Sequence, residues 1–204
     1  MEKFLNLSKE KQNDIINAGL NAFGTNGYKK ASIRDIANTA GISKSMIFHY
    51  FGTKKDMYLF LVQYSVNMLM NEISMNFKEE ERDFFERVRL ASEIKVSVMR
   101  KHPAILSFFK SIYFESDEEV VQEIKSMMLR GEAFRSHIAL DGIDMSKFKE
   151  GIDPALVIKM LTWFAEGYVS QLGVNTTMDI DDINREFNQC LNMLKQNFYK
   201  EEFL

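Results

Sequence analysis

The feature that most constrains the fold is a run of three closely spaced helix starts around one glycine. Ser32, Ser43 and Thr53 can each cap a helix N-terminus, and all three lie within 22 residues. Gly41 stands between the first two caps and can take the left-handed conformation that a tight turn needs. The spacing predicts two short helices, over 33–39 and 43–50, followed at once by a longer one.

The residues between the two short helices suit a helix-turn-helix. In that motif the second helix enters the major groove of DNA with its N-terminal residues toward the bases. Ser43, Lys44 and Ser45 stand at that N-terminus, where hydroxyls, an ammonium group and the helix dipole suit a phosphate or an acceptor-rich base edge. Small or apolar side chains can fill the wedge between the helices, namely Ile36, Ala37, Ile42 and Ile47.

The rest of the chain is also predicted to be helical, so the fold class is all-α. Two prolines and ten glycines among 204 residues are too few for the turns of a sandwich or barrel. We predict an N-terminal domain that contains the helix-turn-helix over 8–68 and a C-terminal helical domain over 69–204, joined by the long helix that begins at Thr53. The other predicted helices cover about 8–23, 81–101, 104–115, 117–140 with Ser116 as cap, 154–173 and 180–199.

Charge is divided unevenly along the chain. Residues 1–60 carry nine Lys/Arg against five Asp/Glu, for +4, and the remainder carries 17 against 24, for −7. A basic N-terminal part on an acidic body favours a nucleic-acid contact at one end of the molecule. Such a division also arises by chance in helical proteins, so it gains weight only beside the motif.

Several classes of protein are excluded or disfavoured. The single cysteine, Cys190, excludes an intramolecular disulfide, and the sequence shows neither an apolar leader nor a membrane span, so we expect a soluble cytoplasmic protein with no membrane partner. Three widely spaced histidines and the lack of a phosphate loop or nucleophile elbow predict no catalytic residue, metal or cofactor. A helical interaction protein without DNA or ligand is the alternative, and the helix-turn-helix in its basic surround argues against it.

From Ile15 through Leu61 the sequence resembles the DNA-binding domain of TetR-family transcriptional regulators. The resemblance rests on Ala-Phe-Gly-Thr-Asn-Gly-Tyr, Ser-Ile-Arg-Asp-Ile-Ala, Ala-Gly-Ile-Ser-Lys-Ser-Met-Ile-Phe-His-Tyr-Phe and Thr-Lys-Lys-Asp-Met-Tyr. It implies a homodimeric repressor that binds double-stranded operator DNA and a small effector, with a dimer interface built from the last two long helices. The DNA contacts that it implies are Ser32, Ser43, Lys44, Ser45, Phe48, His49, Tyr50 and Lys54.

Two of these positions have a particular interpretation. Phe48 stands where the family commonly has tyrosine, so a phenolic hydroxyl is missing and DNA backbone affinity is expected to depend more on Tyr50 and Lys54. His49 is open to two interpretations, a DNA contact or an ordinary group at the helix surface or the edge of the core.

The effector site is less well defined by the sequence. Aromatic and methionine side chains are frequent after residue 80, and they suit either an apolar ligand or simple core filling. Among polar groups that can orient an effector, Glu166, Gln171, Arg135 and His137 are equally suitable. The apolar candidates are Phe109, Tyr113, Met128, Trp163, Phe164 and Tyr168.

Apolar residues also recur at spacings of three and four along the last two predicted helices. Both rows suit intramolecular packing as well as a symmetric bundle, and the resemblance favours a twofold dimer. The candidate interface residues are Met160, Phe164, Ile183, Phe187, Cys190, Leu191 and Leu194. A DNA-binding regulator that activates transcription is the alternative to a repressor.

Overall fold

A computed structural model describes residues 2–172 and 179–204, with the side chains of 169–172 outside that description. The described residues form α-helices without a β-strand, so the predicted all-α class is confirmed. The helices are α1 Glu2–Leu5, α2 Lys9–Lys30, α3 Ile33–Thr39, α4 Lys44–Phe51, α5 Lys54–Asn76, α6 Phe84–Lys101, α7 Pro103–Tyr113, α8 Val121–Leu140, α9 Pro154–Leu172 and α10 Ile180–Phe198. The predicted break from Gly173 to Thr177 lies outside the described residues.

The three predicted caps form as the sequence indicates. The Ser32 hydroxyl accepts a hydrogen bond from the Asp35 N–H at 3.3 Å at the start of α3. The Ser43 hydroxyl accepts one from the Met46 N–H, also at 3.3 Å, at the start of α4. Thr53 and Asp56 form a reciprocal pair in which each side chain accepts a hydrogen bond from the backbone N–H of the other, at 3.0 and 3.1 Å. These bonds satisfy N–H groups that helix starts would otherwise leave unpaired.

Helix α2 ends later than the sequence predicted, and this is a correction. A side chain on Gly24 would come within 3.0 Å of the Phe108 backbone nitrogen on α7, so this glycine serves the close approach of two helices and does not end α2. The helical geometry is interrupted at Gly27, whose φ of 68° is favoured by glycine. The helix start predicted at Ser116 is also wrong, because α8 begins at Val121 and the Asp117 carboxylate accepts the hydrogen bond of the nearby Glu119 N–H.

The described chain divides into two compact units. The first comprises residues 1–68 and 102–129, and the second comprises 69–101 and 130–204. Packing thus adds residues 102–129, which include α7, to the N-terminal unit, although they are remote from it in sequence. In this first unit, α1 was not predicted from the sequence, and it brings the buried ring of Phe4 against Tyr50, Phe51 and Phe60.

The second unit has its own apolar core and a buried polar centre. Its core joins Phe84, Phe85 and Phe148 to Tyr199, among others. Asp83 is buried beside them and accepts hydrogen bonds from the Phe85 N–H at 3.0 Å and the Tyr199 hydroxyl at 3.2 Å. Its other oxygen accepts from Lys147 at 2.9 Å and lies 3.4 Å from the Lys195 ammonium. The centre ties the start of α6 to the C-terminal segment.

Candidate nucleic-acid interface

The turn between α3 and α4 is held by contacts from outside the motif as well as within it. Gly41 has a φ of 64°, and the Ile42 N–H donates to the Ala37 carbonyl at 3.0 Å. From α2, the Lys11 ammonium donates to the Ala40 carbonyl at 2.7 Å. Because one helix of the core pins the turn, the orientation of α4 is fixed by the first unit as a whole.

Helix α4 divides its side chains between core and surface. Ile47 and Phe51 are buried, whereas Ser43, Lys44, Ser45, Phe48 and His49 are exposed. The Ser43 and Ser45 hydroxyl oxygens lie 2.8 Å apart, and the Lys44 ammonium lies 5.6 Å from the centre of the Phe48 ring. The N-terminal half of α4 therefore presents hydroxyls, a cation and an aromatic ring on its free face.

A depression of about 440 Å³ opens beside this face. It brings together predicted residues from three places in the sequence: the cap of α3, the start of α4 and the start of α5. It also contains the exposed cation Arg34, two residues after the cap Ser32, which the sequence pattern did not predict as a DNA contact. The lining residues are Ser32, Ile33, Arg34, Asp35, Lys44, Phe48 and Lys54.

Lys54 lines the depression but is only partly exposed. Its ammonium group donates to the Lys29 carbonyl at 3.1 Å and lies 5.0 Å from the centre of the Tyr28 ring. Burial lowers the pKa of Lys54, and nearby carboxylates oppose that change, those of Glu119, Asp117 and Glu115. Lys54 therefore joins the start of α5 to the end of α2 in addition to bordering the depression.

The structure corrects the interpretation of Tyr50. Its side chain is 7% exposed, and its ring packs edge-on against Phe4 with centroids 6.3 Å apart. A side chain that is this buried packs α4 against the core. The affinity for the DNA backbone that Phe48 loses by lacking a hydroxyl therefore cannot come mainly from Tyr50. The missed helix α1 explains the error, because Phe4 supplies the partner that buries this ring.

The six effector candidates fall in two groups. Phe109, Tyr113 and Met128 belong to the first unit, where Phe109 and Met128 pack against its core and Tyr113 is exposed. The second unit contains the other three, and Trp163 is 60% exposed there. These are Trp163, Phe164 and Tyr168, of which the last two have ring centroids 6.4 Å apart.

The predicted dimer-interface residues differ in how exposed their side chains are. Met160 and Phe164 are exposed, and they share one face of α9 with exposed Leu156 and Trp163. On α10, Leu191 is fully buried within a single chain, so it has no surface left to bury in a dimer and is corrected to a core residue. The remaining candidates on α10 are half-buried, namely Ile183, Phe187, Cys190 and Leu194.

Comparisons with known proteins show which proteins this chain is similar to. Residues 15–60 match the family described as bacterial regulatory proteins, tetR family. The fatty acid metabolism regulator protein of Bacillus subtilis is 24% identical over 160 residues, which are 75% of this chain and 78% of that protein. The transcriptional activator FasR of Mycolicibacterium smegmatis is 29% identical over 84 residues, 41% of this chain and 38% of that protein.

A solved structure shares the fold over most of the chain. FadR from Bacillus subtilis in complex with stearoyl-CoA has a TM-score of 0.70 at 22% identity, over 87% of this chain and 96% of that one. Among the helices that the structure describes here, none is both long and apolar enough to cross a membrane.

The fold and the family match over residues 15–60 indicate a helix-turn-helix, DNA-binding transcription regulator. Over residues 15–60 the chain matches the TetR family of bacterial transcription regulators, and its fold is shared by solved structures of TetR-family regulators. Members of that family are regulators and not enzymes.

Proposed function

We propose that this protein is a homodimeric, cytoplasmic repressor that binds a pseudo-palindromic operator and leaves it when a largely apolar effector binds. Residues 8–68 serve DNA recognition, and residues 69–204 contribute effector binding and dimerisation. One recognition helix contacts too few base pairs for useful specificity, and a twofold dimer doubles the contacts.

The observation that carries the proposal is the surface around the start of α4. Exposed Lys44 lines a depression together with Arg34, and exposed Ser43 and Ser45 flank Lys44 in the sequence. Hydroxyl and cationic donors grouped at a helix N-terminus suit phosphate oxygens and base edges. Phe48 and His49 extend the same exposed face along the helix and are proposed as further contacts.

Support for the class of effector comes from the relatives. One relative is named for fatty acid metabolism, and a solved structure with the same fold contains stearoyl-CoA. We therefore propose a long-chain acyl compound as the effector. Activation is the alternative direction of regulation, because FasR, which matches part of this chain, is named an activator.

Helix α5 is the element proposed to link effector and operator. It begins at Lys54 beside the DNA-binding depression and continues to Asn76, past the boundary between the two units at 68–69. A ligand alters DNA affinity only through different affinities for the two conformations of the regulator. The expected coupling is about 1–3 kcal/mol, and operator DNA should weaken effector binding by the same factor.

The test uses the full chain and DNA selected from a library of its own genome. Fluorescence anisotropy of the selected duplex, with and without saturating stearoyl-CoA, should show specific, salt-dependent binding that the ligand weakens by about 5- to 150-fold. Failure to select any sequence contradicts the DNA-binding role, and unchanged operator affinity at saturation contradicts the acyl effector. Transcription in vitro from the selected promoter separates repression from activation.

A further inference from the structure

Two cations in the second unit, Lys95 and Arg135, lie beside apolar side chains. Lys95 lies on α6, one turn beyond buried Ala91, and Arg135 lies on α8, next to Phe134 and three residues before Ile138. Ala91 and Ile138 belong to one small apolar cluster, which also includes Ile73, Phe77, Ile94 and Phe134. Both Lys95 and Arg135 are half-buried.

Within the described part of the chain, the polar contact at this place is made by Arg135. One N–H of the Arg135 guanidinium donates to the Thr162 hydroxyl at 3.0 Å, and that hydroxyl donates to the Ile158 carbonyl at 2.9 Å. Among the described residues, neither cation forms an ion pair with a carboxylate. Residues 169–178, whose side chains fall outside the description, include no Asp or Glu in the sequence.

Two like charges near each other in a partly buried site are unfavourable by themselves. Burial, together with the smaller effect of the positive charge of Arg135, lowers the pKa of Lys95 to about 8. An anion placed between the two would offset both effects, because it supplies opposite charge and accepts hydrogen bonds from their N–H donors. Arg135 has five N–H donors, of which Thr162 takes one.

We propose that Lys95 and Arg135 form the subsite that holds the anionic group of an amphiphilic effector, while the Phe77, Ile94 and Phe134 cluster contacts its apolar chain. This inference rests on the proposed function in one respect, that the bound molecule is the effector. The shared chemistry is an acid group on a long alkyl chain, either the carboxylate of a fatty acid or a phosphate of an acyl-CoA. A neutral chain of the same length lacks the group that the two cations select.

The experiment compares three probes of one chain length by titration calorimetry on the full-length protein: stearate, stearoyl-CoA and octadecanol. The wild type should bind at least one of the two anions about tenfold or more tightly than octadecanol, since charge-assisted hydrogen bonds contribute roughly that factor each. Binding of stearate alone identifies the carboxylate, and binding of stearoyl-CoA alone identifies the phosphates. Binding of neither anion, or equal binding of octadecanol, overturns the inference.

Three variants locate the site. Lys95→Met keeps the length of the side chain without its charge, and Arg135→Gln removes the guanidinium. Each should weaken binding of the anion about ten- to a hundredfold while changing octadecanol affinity by less than about threefold. Lys159→Met, at an exposed lysine of the same unit, is the matched control and should bind all probes as the wild type does. Wild-type anion affinity in both Lys95→Met and Arg135→Gln contradicts the assignment.

Operator binding separates this inference from the proposed function. Unliganded Lys95→Met and Arg135→Gln should bind operator as tightly as the wild type, which also reports that they are folded. If the two variants keep wild-type anion affinity but ligand still releases operator, only the subsite is wrong. If the two variants lose anion affinity but bound ligand leaves operator affinity unchanged in the wild type, the subsite is correct and the regulatory role is wrong.

Discussion

At the scale of single residues, α4 combines a side that is buried in the core with an exposed side that is the proposed DNA contact. Lys44 and Phe48 are four residues apart and therefore share a face, with the ammonium 5.6 Å from the ring centre. Tyr50 lies on the buried side and holds the helix in place. The exposed ring limits where the Lys44 side chain can lie, so its charge stays near the depression that Arg34 also borders.

The first prediction concerns these two cations. Lys44→Ala and Arg34→Ala should each weaken operator binding, because both side chains are exposed at the proposed interface and neither contributes to the core. Each lost phosphate contact should make the salt dependence of binding shallower by about one unit. Anisotropy titrations over a range of salt measure this, with exposed Lys159→Ala as control. Wild-type affinity and slope in both variants would show that another face binds DNA.

The second prediction concerns Asp83 in the buried polar centre. Burial alone would raise the pKa of Asp83, but hydrogen bonds from Lys147 and the Glu86 N–H, with the charges of Lys195 and Lys147, lower it overall. A carboxyl group with a lowered pKa in the folded state stabilises the protein above its unfolded pKa of about 4. That contribution is lost as the pH falls through the folded value.

Asp83→Asn should therefore lower the free energy of unfolding at neutral pH by about 1–3 kcal/mol. It should also flatten the loss of stability on the acid side of about pH 4. Urea denaturation at a series of pH values measures both effects. Asp14→Asn, which removes a carboxylate from an exposed ion pair with Lys11, is the control and should change stability little. A parallel acid profile for wild type and Asp83→Asn would contradict the account.

At the scale of elements, the sequence predicts what neighbours along the chain determine. The caps at Ser32, Ser43 and Thr53 depend on residues within one turn, and all three form as predicted. Contacts between distant segments are not written in such local patterns. The sequence alone suggests that Gly24 belongs to a turn, whereas in the fold it allows α7 to pack closely against α2. Helix α1 is stabilised by the contact of Phe4 with an aromatic ring that is distant in sequence.

The same distinction applies to the candidate DNA site. Five of its eight predicted residues, Ser43, Lys44, Ser45, Phe48 and His49, are exposed on α4, as the helix-turn-helix pattern indicates. The depth of Tyr50 and the partners of Lys54 depend on helices that are distant in sequence, so the local motif does not contain them. Arg34 joins the site because α3 and α4 together border the depression.

The third prediction tests the close approach of α2 and α7. Gly24→Ala should destabilise the protein by about 1–3 kcal/mol, because its new methyl group would meet the Phe108 backbone nitrogen at 3.0 Å and backbone yields little. The matched control is Gly131→Ala in α8, where a methyl group meets nothing within 4 Å and should stabilise the helix by roughly 0.5–1 kcal/mol. Thermal denaturation followed by circular dichroism measures both. Equal effects of the two substitutions would exclude the packing explanation for Gly24.

At the scale of the whole molecule, a single chain leaves an apolar stripe on its second unit. Leu156, Met160, Trp163 and Phe164 recur at spacings of four, three and one along α9, which places them on one face, and all are exposed. An exposed face of this kind is typical of a surface that another molecule covers. The 60% exposure of Trp163 favours such an interface over the lining of an enclosed effector pocket.

The last prediction is that this stripe forms the dimer on which operator recognition depends. Phe164→Glu should leave the fold intact, because the side chain is already exposed, yet it should shift the protein toward monomer by placing a charge where an apolar contact is required. Loss of the dimer separates the two recognition helices, so affinity for a two-site operator should fall while the weaker affinity for one half-site is retained. Sedimentation equilibrium measures the association, and titration of full and half operators measures the consequence. Leu129→Glu places the same charge at another exposed apolar residue, on α8, and should remain dimeric. A wild-type protein that sediments as a monomer at micromolar concentration, or a Phe164→Glu variant that dimerises as tightly as the wild type, would remove α9 from the interface.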